Sequence, residues 1–357
     1  MKRLNDYGET RPTESRVKKC GRTFYHNDIL WLSLSGTGME FEADGSFCDM
    51  TFVGDASSAR VWVDDLQSRI GIHVDGQLVE DFLMDEEVKT VRLFHGEDKK
   101  RRVRVVKLSE SAYSTIGVRG IKTDGNVSPA PEKGLKIEFI GDSITCGYGV
   151  EGANNDLAKT SNENFAKSYA YLAAEKLDAD YSAVAYSGYG VISGHTTYGH
   201  RQPLRSVPRY YSKFGNSGGT FSDGMSPSDV AWDHREFVPD IVVINLGTND
   251  YFYTGDDTVK TREFMEGYID FLKMVRNKNQ NAYMLCTLGM VGDELFGRIE
   301  EAVAFFSREF EDDRISCMKF DDRLPEDGYG VMMHPSAITH EKAAEKLVSH
   351  VLALNIL

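Results

Sequence analysis

Between residues 22 and 128, apolar positions recur at every second residue in short runs. They read FCDMTFV (47–53), ARVWV (59–63), RIGIHV (69–74), VKTVRLF (88–94) and VRVVKL (103–108). A period of two is the signature of strands with one buried face, and turn pairs such as Asp44-Gly45 and Asp75-Gly76 interrupt the runs. Many short strands without a helix predict an antiparallel β-sandwich or jelly roll. The segment GNVSPAPEKG (125–134), rich in proline and glycine, reads as an interdomain linker.

Beyond it the pattern changes. LKIEFIG (135–141), YSAVAY (181–186), DIVVINL (240–246), AYMLCTL (282–288) and ISCMKF (315–320) are nearly continuous apolar runs, as expected of strands covered on both faces. They alternate with amphipathic stretches at 163–177, 261–276, 293–310 and 340–354. Strands alternating with helices predict an α/β domain, a parallel sheet with helices on both faces in three αβα layers. The expected organisation is an N-terminal extension (1–20), a β-sandwich domain (21–128), a linker (129–134) and the α/β domain (135–357).

Composition narrows the partners. The 357-residue chain carries a net charge of −14, which argues against nucleic acid and against an anionic membrane surface. One basic run, Lys99-Lys100-Arg101-Arg102 with Arg104, reads as a solvated hairpin loop leading into a strand. No window is long and apolar enough to span a membrane. The N-terminal stretch lacks the apolar core of a secretory signal, and five scattered cysteines read as free thiols. Together these give the expectation of a cytoplasmic protein. Homo-oligomerisation is left open.

In parallel α/β sheets, active residues gather outside the carboxyl ends of the strands. The run 135–141 leads into GDSITCGYG, which sets Ser143 in a glycine-rich turn; Gly-Asp-Ser is also an ordinary turn sequence. The run 181–186 leads into SGYG (187–190) and the run 240–246 into GTND (247–250). Gly188 offers an unobstructed backbone N–H and Asn249 a side-chain amide. His334, in VMMHPSAITH, precedes the last helix. A nucleophile, two donors and an imidazole on one rim are what acyl transfer requires. His195 and His200, five residues apart, do not make a helical metal motif.

GDSIT, SGYG, GTND and HPS, in that order, resemble the four blocks of the SGNH (GDSL-type) hydrolases. The wider wording, with a sandwich ahead of the hydrolase domain, resembles carbohydrate esterase family 2. The resemblance implies Ser143 as nucleophile and His334 as general base and acid. It implies an oxyanion hole from the N–H of Ser143, the N–H of Gly188 (with Gly190 as substitute) and the Asn249 side chain. It implies no metal or organic cofactor, and an acetylated oligosaccharide or polysaccharide as substrate, from xylan, mannan or glucan. Tyr148, Tyr189, Trp232 and Tyr251 are candidate sugar contacts, since aromatic faces stack on sugars and also pack loops.

One position departs from the pattern. Many SGNH enzymes carry an aspartate two or three residues before the histidine, where this chain has Met332 and Val331. Three readings follow: a main-chain carbonyl accepts the second imidazole N–H, a carboxylate such as Asp327 or Glu326 swings in, or the site only binds sugar. An esterase or thioesterase acting on non-sugar esters is the rival within enzymes. A catalytically weak carbohydrate-binding protein is the rival outside them.

Overall fold

The computed structural model describes residues 8–56, 58 and 66–356. The run 59–63 predicted as a strand lies outside them. By contact density the chain divides into two compact units. The first takes in residues up to 132 with 159–161 and 213–230; the second takes in 133–158, 162–212 and 231–357.

The first unit holds eleven strands in chain order: β1 (Lys18–Cys20), β2 (Thr23–His26), β3 (Ile29–Leu32), β4 (Gly38–Ala43), β5 (Phe47–Gly54), β6 (Arg69–Val74), β7 (Gln77–Leu83), β8 (Val88–His95), β9 (Arg101–Lys107), β10 (Ile116–Thr123) and β11 (Val127–Pro129). They form two antiparallel sheets, β2-β3-β10-β5-β8 and β1-β4-β9-β6-β7, with β11 paired to β4. Alternation sets the core. Met39 and Phe41 on β4, Phe52 on β5, Ile72 on β6 and Val105 on β9 are all fully buried in one cluster. Asp75 and Gly76, both at positive φ, make the two-residue turn between Val74 and Gln77, which matches the twist of a hairpin.

Two boundaries differ from the sequence reading. Residues within 1–20 are not a separate extension: β1 pairs with β4, and Thr10 exchanges both backbone hydrogen bonds with Ile121. The linker begins later than its composition suggests, because Val127 and Ser128 pair with Ala43 and Glu42. Pro129 is tolerated there as the last residue of a strand end.

The basic run is a loop leading into a strand, with Lys99 and Lys100 exposed just ahead of β9, but its arginines are not merely solvated. Arg101 is the first residue of β9 and lies 4.4 Å above the Phe94 ring. Arg102 and Arg104 both bind the buried carboxylate of Glu40 on β4, which Lys18 on β1 approaches at 2.9 Å. Burial by itself would raise this carboxyl, but the three cations outweigh it and hold it at about 2.

The second unit is built on five parallel strands: β12 (Leu135–Gly141), β13 (Ala179–Ala185), β14 (Ile241–Asn245), β15 (Tyr283–Leu288) and β16 (Ile315–Lys319), in the order β13-β12-β14-β15-β16. Its helices are α1 (Ser143–Cys146), α2 (Tyr169–Lys176), α3 (Thr248–Thr254), α4 (Thr258–Lys278), α5 (Phe296–Glu309) and α6 (Ala337–Ala353). α2 packs with α6 and α4 with α5. α4 shows why: Phe264, Tyr268, Phe271, Leu272 and Val275 form one buried stripe at helical spacing. Asp257 caps its start by accepting from the Val259 and Lys260 N–H groups.

The strand order reverses on either side of β12. The first crossover runs to β13, and the chain then returns to β14 on the other edge. That is the switch point where open α/β sheets form a crevice. Register brings the strand ends level, since Gly141 pairs with both Ala185 and Asn245. The loops after β12, β13 and β14 therefore leave the sheet side by side.

Candidate active site

Ser143 lies two residues beyond the end of β12 and opens α1. Asp142 caps this helix, its Oδ1 accepting from the Ile144 N–H at 3.0 Å. Gly141 leaves room for the turn: a Cβ there would lie 2.0 Å from Thr145 Oγ1. The Thr145 hydroxyl is itself locked to the Tyr169 hydroxyl at 2.9 Å. The nucleophile candidate thus sits on a fixed corner. Its own N–H, the first of the helix, donates to no other group among the described residues.

His334 Nε2 lies 2.9 Å from Ser143 Oγ. His334 Nδ1 lies 2.8 Å from the Val331 carbonyl oxygen. A carbonyl can only accept, so Nδ1 carries the proton and Nε2 presents its lone pair to the serine. The main-chain reading is therefore the one the geometry realises. Asp327 is held instead by Lys342 at 2.7 Å. Burial pulls the His334 pKa below its usual value; the Val331 bond pushes back, and the Arg323 charge adds to the lowering.

The backbone that delivers this carbonyl is unusual. Met332 and Met333 both adopt left-handed φ, 53° and 62°. Each costs about 1–2 kcal/mol for a residue with a Cβ. Three bonds tie the turn to the loop after α1: Val331 N–H to the Gly149 carbonyl (3.0 Å), Met332 N–H to the Asn154 carbonyl (3.1 Å), and Met333 N–H to Asn154 Oδ1 (2.8 Å); two more close it on itself, His334 N–H to the Val331 carbonyl (3.1 Å) and Gly330 N–H to the His334 carbonyl (2.9 Å). After it, Pro335 favours the extended conformation seen at His334, φ −68° and ψ 162°. Ser336 then caps α6, its Oγ accepting from Thr339 N–H.

Gly188, after β13, has φ 76°, and its N–H donates to no group among the described residues. Gly190 differs: its N–H is engaged by the Arg205 carbonyl at 3.2 Å, and a Cβ there would meet Asp250 Oδ2 at 2.4 Å. Gly190 clears space for Asp250, and Gly188 is the glycine with a donor to offer.

Asp250 organises this loop. Fully buried, it accepts from the N–H groups of Val191, Ile192 and Ser193 at 2.8–3.0 Å. Burial raises its pKa, and these bonds oppose the rise. Asp142, equally buried, is raised by burial and by the like charge of Asp250.

Asn249 is tied between these elements. Its Nδ2 donates to Asp142 Oδ2 at 3.0 Å and to the Tyr189 carbonyl at 2.9 Å, so both amide hydrogens are engaged in the resting site. The aromatic candidates separate. The Tyr148 ring packs on His334 at 4.7 Å, and Tyr189 packs with Tyr186 and Tyr210. Tyr251 turns its hydroxyl to Asp256, at the far end of α3. The Trp232 backbone N–H donates to the Ser212 carbonyl, in the segment that feeds the amino end of β14.

Sequence reasoning missed Asp250, the Val331 carbonyl and Asn154. An aspartate directly after Asn249 at a strand end was a readable signal for the first. Val331 and Asn154 had none, since one acts through its backbone and the other lies 179 residues from its partner.

A buried serine at a β-strand corner, an imidazole on its oxygen and free N–H groups beside it define a serine hydrolase of the α/β type. Residues 137–347 match the GDSL-like lipase/acylhydrolase family, and the chain belongs to it. Residues 20–131 match the carbohydrate esterase 2 N-terminal domain. Among curated relatives, a cellulase/esterase, CelE, of Acetivibrio thermocellus is 31% identical over 289 residues, 78% of this chain. This match spans only 33% of that protein's length. An acetylxylan esterase/glucomannan deacetylase of Cellvibrio japonicus is 29% identical over 70% of this chain and 69% of its own. Among solved structures, an acetyl xylan esterase, Est2A, of the rumen bacterium Butyrivibrio proteoclasticus superposes with a TM-score of 0.86. It is 25% identical and covers 98% of this chain and 99% of its own. A family two carbohydrate esterase of Clostridium thermocellum in complex with cellohexaose gives 0.81 at 25% identity, over 96% and 100%.

Proposed function

We propose that the protein is a carbohydrate O-acetyl esterase, acting on acetylated xylan-like saccharides through a Ser143–His334 dyad. One observation carries the chemistry: His334 joins Ser143 Oγ by Nε2 and the Val331 carbonyl by Nδ1. The names of the relatives on both units support the sugar ester as substrate class.

The reaction follows from the protons. His334 Nε2 takes the Ser143 proton as Oγ attacks the acetyl carbonyl carbon. The oxyanion is received by the N–H groups of Ser143 and Gly188. Asn249 joins them when its hydrogen on the neutral Tyr189 carbonyl moves to the oxyanion, whose charge makes it the stronger acceptor. The tetrahedral intermediate collapses, the sugar oxygen leaves with the proton from His334, and acetyl-Ser143 remains. Water, deprotonated by the same imidazole, releases acetate and restores the serine.

Tyr148, beside His334, is the aromatic contact this reading favours for the sugar, with Tyr189 at the neighbouring loop. The sandwich is read as a jelly roll, supported by the orders β3-β10-β5-β8 and β4-β9-β6-β7. A reducing, cytoplasmic compartment is part of the reading, supported by five free cysteines. The test is acetate release from defined acetylated xylo-, manno- and gluco-oligosaccharides, with and without chelator. Release from at least one series, unchanged by chelator, is expected; turnover of long-chain acyl esters alone would overturn the substrate class.

A further inference from the structure

We propose that Asn154 is a positioning residue for His334, acting through the left-handed pair Met332–Met333. The inference rests on the dyad reading above. Where a carboxylate orients a catalytic histidine, its charge contributes to the alignment. Here the acceptor is a neutral carbonyl, so alignment depends on where the backbone puts it. The Val331 carbonyl reaches Nδ1, and also accepts from the His334 backbone N–H at 3.1 Å, because the two residues after it turn back in a conformation they resist. Asn154 is the group that answers both of their N–H donors, with its carbonyl at 3.1 Å and its Oδ1 at 2.8 Å.

Asn154 is itself fixed. The turn around it is closed by Asp156, whose Oδ2 accepts from Ala153 N–H at 2.6 Å and whose N–H returns to the Ala153 carbonyl. On either side of Val331 the packing is tight: a Cβ at Gly149 would lie 2.6 Å from Val331 Cβ, and one at Gly152 2.5 Å from its Cγ2. The loop after α1 therefore grips the histidine turn at Gly149, Gly152 and Asn154. Asn154 supplies a side-chain bond to it.

The test compares Asn154→Ala with Asn154→Asp in the full chain, on 4-nitrophenyl acetate, with Ser143→Ala as control. Alanine removes the side-chain acceptor; aspartate keeps it. Asn154→Ala should lower kcat about tenfold or more, with KM within about twofold, as expected when a reacting group is displaced and binding is not. Asn154→Asp should keep kcat within about threefold of native. The hydrogen-bonded Nδ1–H proton of His334, read by nitrogen-edited NMR, should weaken or shift in the alanine variant and persist in the aspartate variant. Asn154→Leu, similar in size and without an acceptor, takes the place of alanine if that variant does not fold. Native kcat and an unchanged Nδ1–H signal in the alanine or leucine variant overturn the proposal, as does an aspartate variant that falls as far as alanine. A native protein without Ser143-dependent hydrolysis would instead defeat the dyad reading, and the NMR comparison would still decide the role of Asn154.

Discussion

A neutral acceptor behind His334 has a consequence for the pH at which the site works. The imidazole must be unprotonated to take the serine proton, and burial holds its pKa below the ordinary value. The acid limb of kcat/KM should therefore fall below about pH 6.5, the unperturbed histidine value. A pH–rate profile with its acid limb at or above 7 would contradict this. Asn249 is the second residue with a sharp expectation. Asn249→Ala should lower kcat about a hundredfold, the typical loss for one oxyanion donor. A loss under about fivefold in steady-state kinetics would remove it from the oxyanion hole. Ser143, Gly188 and Asn249 were readable because each follows a recognisable strand, and His334 because it lies just ahead of the last helix. The Val331 carbonyl was not, because a backbone atom leaves no residue type to read, and the left-handed turn that aims it is carried by two methionines that signal nothing of the kind.

At the scale of elements, the loop after β13 owes its shape to Asp250. Three N–H groups with no helix or sheet partner converge on one buried carboxylate. Asp250→Asn turns one acceptor into a donor facing those N–H groups. It should lower the melting temperature and cut kcat about tenfold or more; an unchanged melting curve would show that the loop holds itself. The strands β1, β4 and β9 offer a parallel case in the first unit, where Lys18, Arg102 and Arg104 meet on Glu40. The folded pKa of about 2 lies below the unfolded value of about 4.3. The stabilisation is therefore complete above about pH 4.3 and is lost as pH falls towards 2, worth about 3 kcal/mol in all. Urea unfolding at pH 6 and pH 3 should show a loss of stability that Glu40→Gln largely removes, because the amide cannot ionise in either state. Equal pH dependence in the variant would assign the loss to other carboxylates. Helix and strand types were legible here from period alone. The runs of β5, β6, β8 and β9 were the ones named; among the strands that were not, β1 and β11 are three residues long, carry no period and form by pairing with β4.

For the whole molecule, the division into units does not follow the division of the sequence. Residues 213–230 lie in the middle of the hydrolase sequence yet belong to the first unit. The Lys213 carbonyl receives Arg22, the Thr220 carbonyl receives Thr115, and Phe221 packs against Trp31 at 5.2 Å. A polar, glycine- and serine-rich stretch gave no hint of this, since its partners lie about a hundred or more residues away. A fragment of residues 133–357 would expose Phe214 and Phe221, now buried, and should express as aggregate, whereas the full chain should be soluble. A soluble, monodisperse fragment by size-exclusion chromatography would contradict this.

The kinetic expectations depend on Ser143 being the nucleophile of an acetyl transfer. Acetate release from an acetylated xylo-oligosaccharide, measured for the native chain and for Ser143→Ala, tests that most directly. The account predicts turnover by the native protein and a loss of at least about a thousandfold in the variant. Comparable acetate release by Ser143→Ala would contradict it.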